Sequence, residues 1–517
     1  MSNIPPGSDE SCSLWISTTS STNYPKLSGS READVAIIGG GITGIIAAYL
    51  LTRAGKRVVL LEKGRIAMSE TGHTTAHIVE STDADYERLI NEHGEAAARL
   101  NTVAIRESIR MIRTLVDELA LDCDFHTVDG YLYAENEEHR EYLVRERENL
   151  ARAGVTTEWT DEVPLPFKTI GGLHFRNQHT FHIRRFLLPI AQAAVAGGAE
   201  IYENTRATEV EGMDVEGRCS VVTEQGRLRA DHVIVATHAP INDRGVVWLK
   251  MHITRTYVVA GRIAENRVPD ALFWDTEFPY HYTRLLSTDE GLYLIVGGED
   301  RDVGKEENDE ERFEALERYA RERFGVTGFS FRWSGQINEP ADMIPLIGPS
   351  ALGERVWMAT GYSGTGMTYG VLGAMILADC VAGRDNRYAQ LYDPKRKSVK
   401  SLIENLGKVM TAPKRLLQKL TGAEVEAKSL DAVHEGEGKI VEIDGEKVAA
   451  ARIEGELHVI SPRCTHMGCT VSWNGAEKSW DCPCHGSRFD LDGRVLSGPA
   501  TRDLQKEEPA HASTRKR

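Results

Sequence analysis

The chain has 517 residues, too many for one hydrophobic core, so two or three domains are expected. Its 41% apolar and 27% charged residues suit an ordinary globular protein, and no run reaches the ~18–20 apolar residues of a bilayer span. A net charge of −16 argues against a nucleic-acid backbone or an anionic membrane as partner, because both recruit surface Lys and Arg. The first residues, MSNIPPGSDESCSLW, have neither a basic start nor an apolar stretch, so no secretory signal is expected and cytoplasmic residence is the default.

Residues 1–32 read as an N-terminal extension. The runs 34–38 (DVAII) and 57–61 (RVVLL) are β-branched and apolar, as buried parallel strands are. Between them ITGIIAAYLLTRAG reads as a helix ended by Gly55, completing a βαβ unit. Gly39-Gly40-Gly41-Ile42-Thr43-Gly44 fits G-x-G-x-x-G at the strand-to-helix turn, and Glu62 closes the next strand 18 residues beyond Gly44. Gly39 makes the tight turn, Gly41 lets a pyrophosphate approach the backbone, and Gly44 lets helix and strand pack closely. Ile42 and Thr43 open the helix, whose N–H groups and partial positive charge suit an anion, while Glu62 can accept ribose hydroxyls. The fingerprint stands at the start of the domain, and Val233–His238, with Ala236 and Thr237, resembles the second segment of flavoproteins. FAD is therefore expected. Only one fingerprint exists, so a separate NAD(P)H site has no support and the electrons are expected from an organic substrate.

Helical patterns follow at about 83–120 and 136–153, then strand-like runs at 219–223, 232–236, 253–260 and 292–296. Helices are expected again over 306–323 and 367–383. Substrate contacts are sought in Arg255-Thr256-Tyr257, in Trp274-Asp275 and in Tyr280–Arg284. Alternation would put Tyr280, Tyr282 and Arg284 on one strand face, where an Arg flanked by Tyr hydroxyls could hold a carboxylate; an ordinary ion pair at a sheet edge fits equally well.

Residues 396–428 read as a helical linker, followed by a small all-β module over 429–510 with strands at 439–443, 447–453 and 456–460. Asp444-Gly445 and Glu454-Gly455 signal hairpin turns, and the tail KEEPAHASTRKR reads as disordered. Four of the eight cysteines crowd into this module: Cys464-Thr465-His466-Met467-Gly468-Cys469, then twelve residues, then Cys482-Pro483-Cys484-His485. Two Cys and two His in paired loops can hold a [2Fe–2S] cluster, thiolates on one iron and imidazoles on the other. A closed zinc site would use four ligands and gives no reason for six candidate donors.

Residues 33–395 resemble the D-amino-acid-oxidase-like (DAO-like) FAD-dependent oxidoreductases through DVAIIGGGITG, EKGRIAMSETGHTTAH (62–77), WSGQINEPADMIPLIG (333–348) and ATGYSGTGMTYG (359–370). The resemblance implies a Rossmann-like α/β FAD-binding domain interleaved with an antiparallel-sheet substrate domain. It implies flavin contacts from Lys63 and from Ser69, Thr71, Gly72, His73, Thr74 and Thr75. Gly361, Gly364, Gly366, Met367 and Thr368 would return near the pyrimidine ring, where negative charge develops on reduction. Some relatives attach FAD covalently near this segment, which makes His73 and His77 candidates; noncovalent FAD is the expectation here.

The C-terminal module resembles the disulfide-bearing Rieske type of cytochrome bc complexes. That resemblance implies Cys464 and Cys482 on one iron, His466 and His485 on the other, and a Cys469–Cys484 disulfide tying the loops. Ser487 matches a residue that bonds a bridging sulfide in the respiratory type, but Phe489 stands where that type has a Tyr. With one donor fewer, a lower reduction potential is expected.

The combined reading is an oxidoreductase. It would oxidise an amine, amino acid or related C–N substrate at FAD and pass electrons singly to the cluster and then to a one-electron acceptor, a protein or a quinone. The alternative is an electron-transfer flavo-iron-sulfur protein serving a partner redox protein. A Rieske oxygenase fits poorly: no suitable His pair for a mononuclear iron is visible, and the fingerprint would go unexplained.

Overall fold

Eight residues, Arg31–Ile38, form the central strand of the first sheet: Val35–Ile38 are buried on both faces, and the run carries no interior Gly or Pro. Val58–Leu61 and Gly226–Val235 pair with this strand in parallel, and Glu200–Tyr202 and Gly353–Thr360 extend the sheet outward. Leu346–Ser350 adds an antiparallel edge, and the Ala207–Glu211/Cys219–Thr223 hairpin joins Gly226–Val235. The helix Ile42–Arg53 leaves the central strand and packs on Gly366–Val381 and Ile183–Ala196. The structure, a computed structural model, describes residues 12–241, 247–289, 291–303, 309–396 and 425–507.

A second, nine-stranded sheet runs in the order Phe329–Pro340, Met251–Arg262, Gly291–Asp302, His281–Thr288, Ala271–Asp275, His126–Tyr133, Gly172–Thr180 and His77–Ile78, with Glu158–Thr160 beside Gly172–Thr180. The strands recorded in register are antiparallel except Ala271–Asp275 with His126–Tyr133, which are parallel. Both sheets belong to one compact unit, Ser11–Asp300 with Phe313–Leu402. Chain segments alternate between them, as the interleaved α/β reading expects.

The single helix expected over 83–120 is two, Tyr86–His93 and Glu95–Glu118, divided at Gly94, whose φ of +82° is costly for any residue with a Cβ. The Ile183–Ala196 helix carries Pro189 and was not visible as a pattern.

The other unit contains Ile403–Arg517. Gly438–Ile443, Glu446–Ile453 and Glu456–Ile460 form an antiparallel meander. Its turns use Asp444-Gly445 and Glu454-Gly455, all four residues at positive φ as two-residue hairpins require. Four short strands, from Ser472–Asn474 to Val495–Ser497, make a second sheet. Trp480 and Phe489, cross-strand partners at 0% exposure, are its core. Residues 397–424 of the expected linker, 1–11 of the N-terminal extension and 508–517 of the tail lie outside the described residues. Among the described residues no helix is long and apolar enough to cross a membrane.

Candidate functional site

In the large unit the end of the central strand, the turn after the second strand and the second sheet enclose a cleft of about 1180 Å³, its open mouth included. Gly41, Ile42 and Thr43 line it at the helix start. A Cβ on Gly41 would lie 2.9 Å from Thr71 Oγ1, and the Ile42 N–H donates to that same oxygen at 3.2 Å. Gly39 has φ +107° and approaches the Ala236 carbonyl so closely that a Cβ would stand 2.4 Å away. Gly44 is tighter still, 1.9 Å from the Gly39 oxygen by the same measure. The buried Glu62 carboxylate accepts from the Gly40 N–H at 2.7 Å and the Gly64 N–H at 2.9 Å, so it braces the turn, with Lys63 beside it in the chain.

Thr71, His73, Thr74 and Thr75 line the same cleft, and Ser69 and Gly72 shape their turn: the Gly72 N–H donates to Ser69 O at 2.7 Å. Gly364, Gly366 and Met367 line the far wall, where the Gly366–Val381 helix begins. Ala236 lines the cleft; Thr237 bonds Ala239 O instead, at 2.7 Å. Thr368 is buried and donates to Thr365 O, and Gly361, at φ +77°, backs onto Pro340.

The expected substrate contacts divide. Tyr280, Tyr282 and Trp274 line the cleft. Gly297 pairs with Tyr282 across the strands, and a Cβ there would sit 2.3 Å from the Tyr282 ring; Gly130 leaves similar room for Trp274. Tyr257 faces the other side of its strand, fully buried and edge-on to Phe313. Arg284 is also turned away. Its Nη1 donates to the carbonyls of Thr75, Ala76 and Phe181 at 2.9–3.2 Å, and the guanidinium lies 5.4 Å from the Trp15 ring. Neither Tyr257 nor Arg284 lines the cleft, against the reading of both as substrate contacts: strand alternation gives a face for Arg284, but its Nη1 reaches the carbonyls of Thr75, Ala76 and Phe181. Arg255 is buried and donates to Ser334 Oγ at 2.9 Å. Asp275 accepts from the backbone N–H and Nδ1 of His281, both at 2.8 Å.

Several residues of the cleft escaped sequence reasoning. Asp83 is exposed to it; desolvation by the cleft walls, with Glu339 close by, pushes its acid up to about 6, while the Gly364 N–H and the Thr365 hydroxyl pull it down. Asp300 stands behind Thr256 and Tyr280, and burial pushes its acid up to about 7 against the hydrogen bond from Thr256. Gln336 is 4% exposed and lines the cleft. No local pattern marks Asp83 and Asp300, which reach the cleft only through sheet topology, and Gln336 lies in the 333–348 signature without an assigned role. His77 lines the cleft too, and burial, then Arg284, lower its pKa to about 3, leaving a neutral imidazole at neutral pH.

In the small unit two loops repeat one hydrogen-bond pattern. Gly468 N–H donates to Cys464 O and Gly486 N–H to Cys482 O, both at 2.9 Å, and both glycines have φ near +75° (+80° and +72°). The Cys464 N–H bonds Cys469 O at 2.8 Å, and the Cys482 N–H bonds Ser487 O at 2.7 Å. Cys469 and Cys484 form a disulfide that joins the loops. The sulfurs of Cys469, Cys482 and Cys484 lie within 4.8 Å of one another, but the disulfide removes two of them as ligands. Cys464 and Cys482 remain as buried thiols. A hydrogen bond from Cys482 is the largest influence lowering Cys464, to about 7, with backbone N–H groups of His466 and Met467 adding to it; Cys482 is raised by the same bond. The His466 and His485 rings stand 4.8 Å apart at 88°. Two thiols, two imidazoles and N–H groups aimed at sulfur make a donor set suited to an anionic iron–sulfur centre.

Residues 34–380 match the model of the FAD dependent oxidoreductase family, and residues 424–508 that of the Rieske [2Fe-2S] domain. The chain belongs to the FAD dependent oxidoreductase family. Its two matched regions imply FAD in the large unit and a Rieske [2Fe–2S] cluster in the small one. Over 498 residues, 95% of this chain and 96% of the relative, the oxidoreductase is 32% identical to the Rieske 2Fe-2S iron-sulfur protein YhfW of Bacillus subtilis (strain 168). Gamma-glutamylputrescine oxidoreductase of Escherichia coli (strain K12) is 26% identical over 386 residues, 71% of this chain and 87% of that protein. Glycine oxidase from Geobacillus kaustophilus shares the fold of the large unit, with a TM-score of 0.60 at 17% identity, covering 71% of this chain and 99% of that one.

Proposed function

We propose that the chain oxidises an amine, amino acid or related C–N compound in the cleft of the large unit, and that the electrons leave singly through the Rieske unit to a one-electron acceptor, a protein or a quinone. The observation that carries this reading is convergence: the fingerprint helix start, the Thr71–Thr75 turn, the Gly364–Met367 helix entry and the Tyr280–Tyr282 pair all line one cleft. FAD, when bound there, supplies the two-electron acceptor.

Gly41 leaves the backbone open to a pyrophosphate while Gly39 and Gly44 let turn, strand and helix pack closely, and the start of the Ile42–Arg53 helix offers the pyrophosphate a helix N-terminus. Glu62 suits the ribose hydroxyls, and the Gly364–Met367 entry turns a second helix N-terminus toward the cleft. Arg284 positions Thr75 and Ala76 from behind. The substrate loses a proton from nitrogen and a hydride from the adjoining carbon, so C–N becomes C=N, which water then cleaves. In the small unit Cys464 and Cys482 would hold one iron and His466 and His485 the other, with the disulfide securing both loops. Imidazole ligation raises the potential and suits the centre to receive single electrons. Residence in the cytoplasm belongs to the same reading.

Anaerobic mixing of the holoprotein with a library of amines and amino acids tests it. A C–N compound should bleach the flavin's visible absorption. If none does, while a reduced partner protein reduces both centres, the chain is an electron carrier instead.

A further inference from the structure

Asp83 lines the cleft and lies in the field of Glu339, and Asp300, behind the lining residues Thr256 and Tyr280, lies in the field of both. Glu339 accepts from Thr254 Oγ1 at 3.1 Å, and Asp300 has Thr256 and Tyr280 hydroxyls beside it. Among the described residues none of the three has an ion-pair partner within 4.0 Å, and no Arg or Lys lines the cleft. Asp83 is exposed to the cleft and Asp300 and Glu339 are half-buried; negative charge crowded there without a counter-charge is costly, and it is relieved by protons or by a bound cation.

A second, independent observation points to a ligand. Gln336 lines the cleft at 4% exposure, and neither its Oε1 nor its Nε2 has a hydrogen-bond partner; Asp300 Oδ1 is buried and without one as well. Buried amides in folded proteins are nearly always satisfied, so an unsatisfied pair facing a cleft marks where a polar ligand sits. The shape of the site narrows the cation. Among the described residues the only set of three potential metal donors within 4.8 Å is the cysteine group of the small unit, so the three carboxylates do not close on a point charge. Aromatic walls suit a larger, organic cation. Trp274, Tyr280 and Tyr282 line the cleft, with the Tyr280 and Tyr282 rings 5.6 Å apart, and ring faces attract ammonium groups.

We infer that the cleft selects a cationic amine with no carboxylate beside its reacting carbon, the Asp83–Glu339–Asp300 field and the Trp274, Tyr280 and Tyr282 rings recognising the ammonium. This rests on the C–N oxidation reading and chooses within it: an α-amino acid would bring its own carboxylate into a field of like sign, with no Arg or Lys among the described lining residues to receive it.

The test uses matched pairs on the holoprotein, each an α-amino acid and the amine left by its decarboxylation, compared by anaerobic flavin bleaching. The amine should exceed its amino acid about 100-fold in kcat/KM, the size of a few kcal/mol of like-charge repulsion. Binding is read separately with tetramethylammonium chloride and sodium acetate at equal ionic strength. The ammonium salt should raise Tm and the acetate should not, and Asp300→Asn, Asp83→Asn and Glu339→Gln should each weaken ammonium binding about tenfold. Preference for amino acids, or acetate binding, overturns the inference and leaves C–N oxidation standing. Amine turnover with all three variants unchanged overturns the role of the carboxylates. Failure of both compound classes to bleach the flavin overturns C–N oxidation itself, and the inference with it.

Discussion

The two candidate sites are built in opposite ways along the chain. In the small unit every donor lies between Cys464 and Ser487, and two loops repeat one hydrogen-bond pattern. In the large unit the cleft draws on residues from Gly41 to Met367, brought together by two sheets and two helix starts. A site written in one short segment is fixed by local turns and a disulfide. A site assembled from distant segments depends on the packing of the whole unit, so its substitutions cost stability as well as chemistry.

The largest effect that separates the two is loss of one chromophore alone. Cys464→Ser or Cys482→Ser should abolish the visible and EPR signature of the cluster while FAD absorption persists. Loss of both signals together would mean the units are not built independently. In the large unit Gly44→Ala forces a Cβ to within 1.9 Å of the Gly39 carbonyl, a clash with backbone that no rotamer relieves. Destabilisation of about 2 kcal/mol and lowered FAD content are expected, with the cluster signature intact; unchanged Tm and full FAD content would show that strand and helix are less close than described.

A pH effect should also fall on the large unit. Burial opposes charge on His281, but hydrogen bonds to Asp275 and Glu299 outweigh it and raise the pKa to about 9, with the ring stacked 4.0 Å from Tyr319. A raised pKa means the contribution is complete below about 6.5, the unfolded value, and is lost as pH rises through about 9. Wild type should lose up to about 3 kcal/mol over that window, and His281→Gln should flatten the profile. Equal slopes for the two proteins would remove the ion pair from the account.

The smallest effect concerns the potential. Phe489→Tyr adds a donor near the sulfur ligands, as in the respiratory type, and should raise the cluster potential by about 60 mV, the worth of one hydrogen bond to a charged group in a one-electron couple. An unchanged voltammetric potential would mean that Ser487, already a hydrogen-bond partner of Cys464, sets the value without help from position 489.

This contrast also explains what was legible in the sequence. The Gly39–Gly44 turn, Glu62 and the paired Cys–His loops are spacing motifs, and spacing survives in a linear reading. The Asp444-Gly445 and Glu454-Gly455 hairpins were legible for the same reason. Arg284 and Tyr257 were misjudged because alternation gives a face but not how far a side chain reaches or what already occupies it. Asp83 and Asp300 were missed because no spacing motif contains them, and Glu339, though inside the 333–348 signature, comes near them only after Gly291–Asp302 and Phe329–Pro340 take their places in the second sheet. The helix break at Gly94 was missed because the polar and apolar residues on either side keep one continuous period.

The central claim is that one chain couples C–N oxidation to a Rieske centre. Anaerobic stopped-flow with an amine that bleaches the flavin, freeze-quenched for EPR, measures that coupling directly. The account predicts that flavin bleaching is followed by the reduced-cluster signal in the same protein, and that Cys482→Ser bleaches with no such signal. Full flavin bleaching in wild type with a cluster that stays oxidised would contradict it.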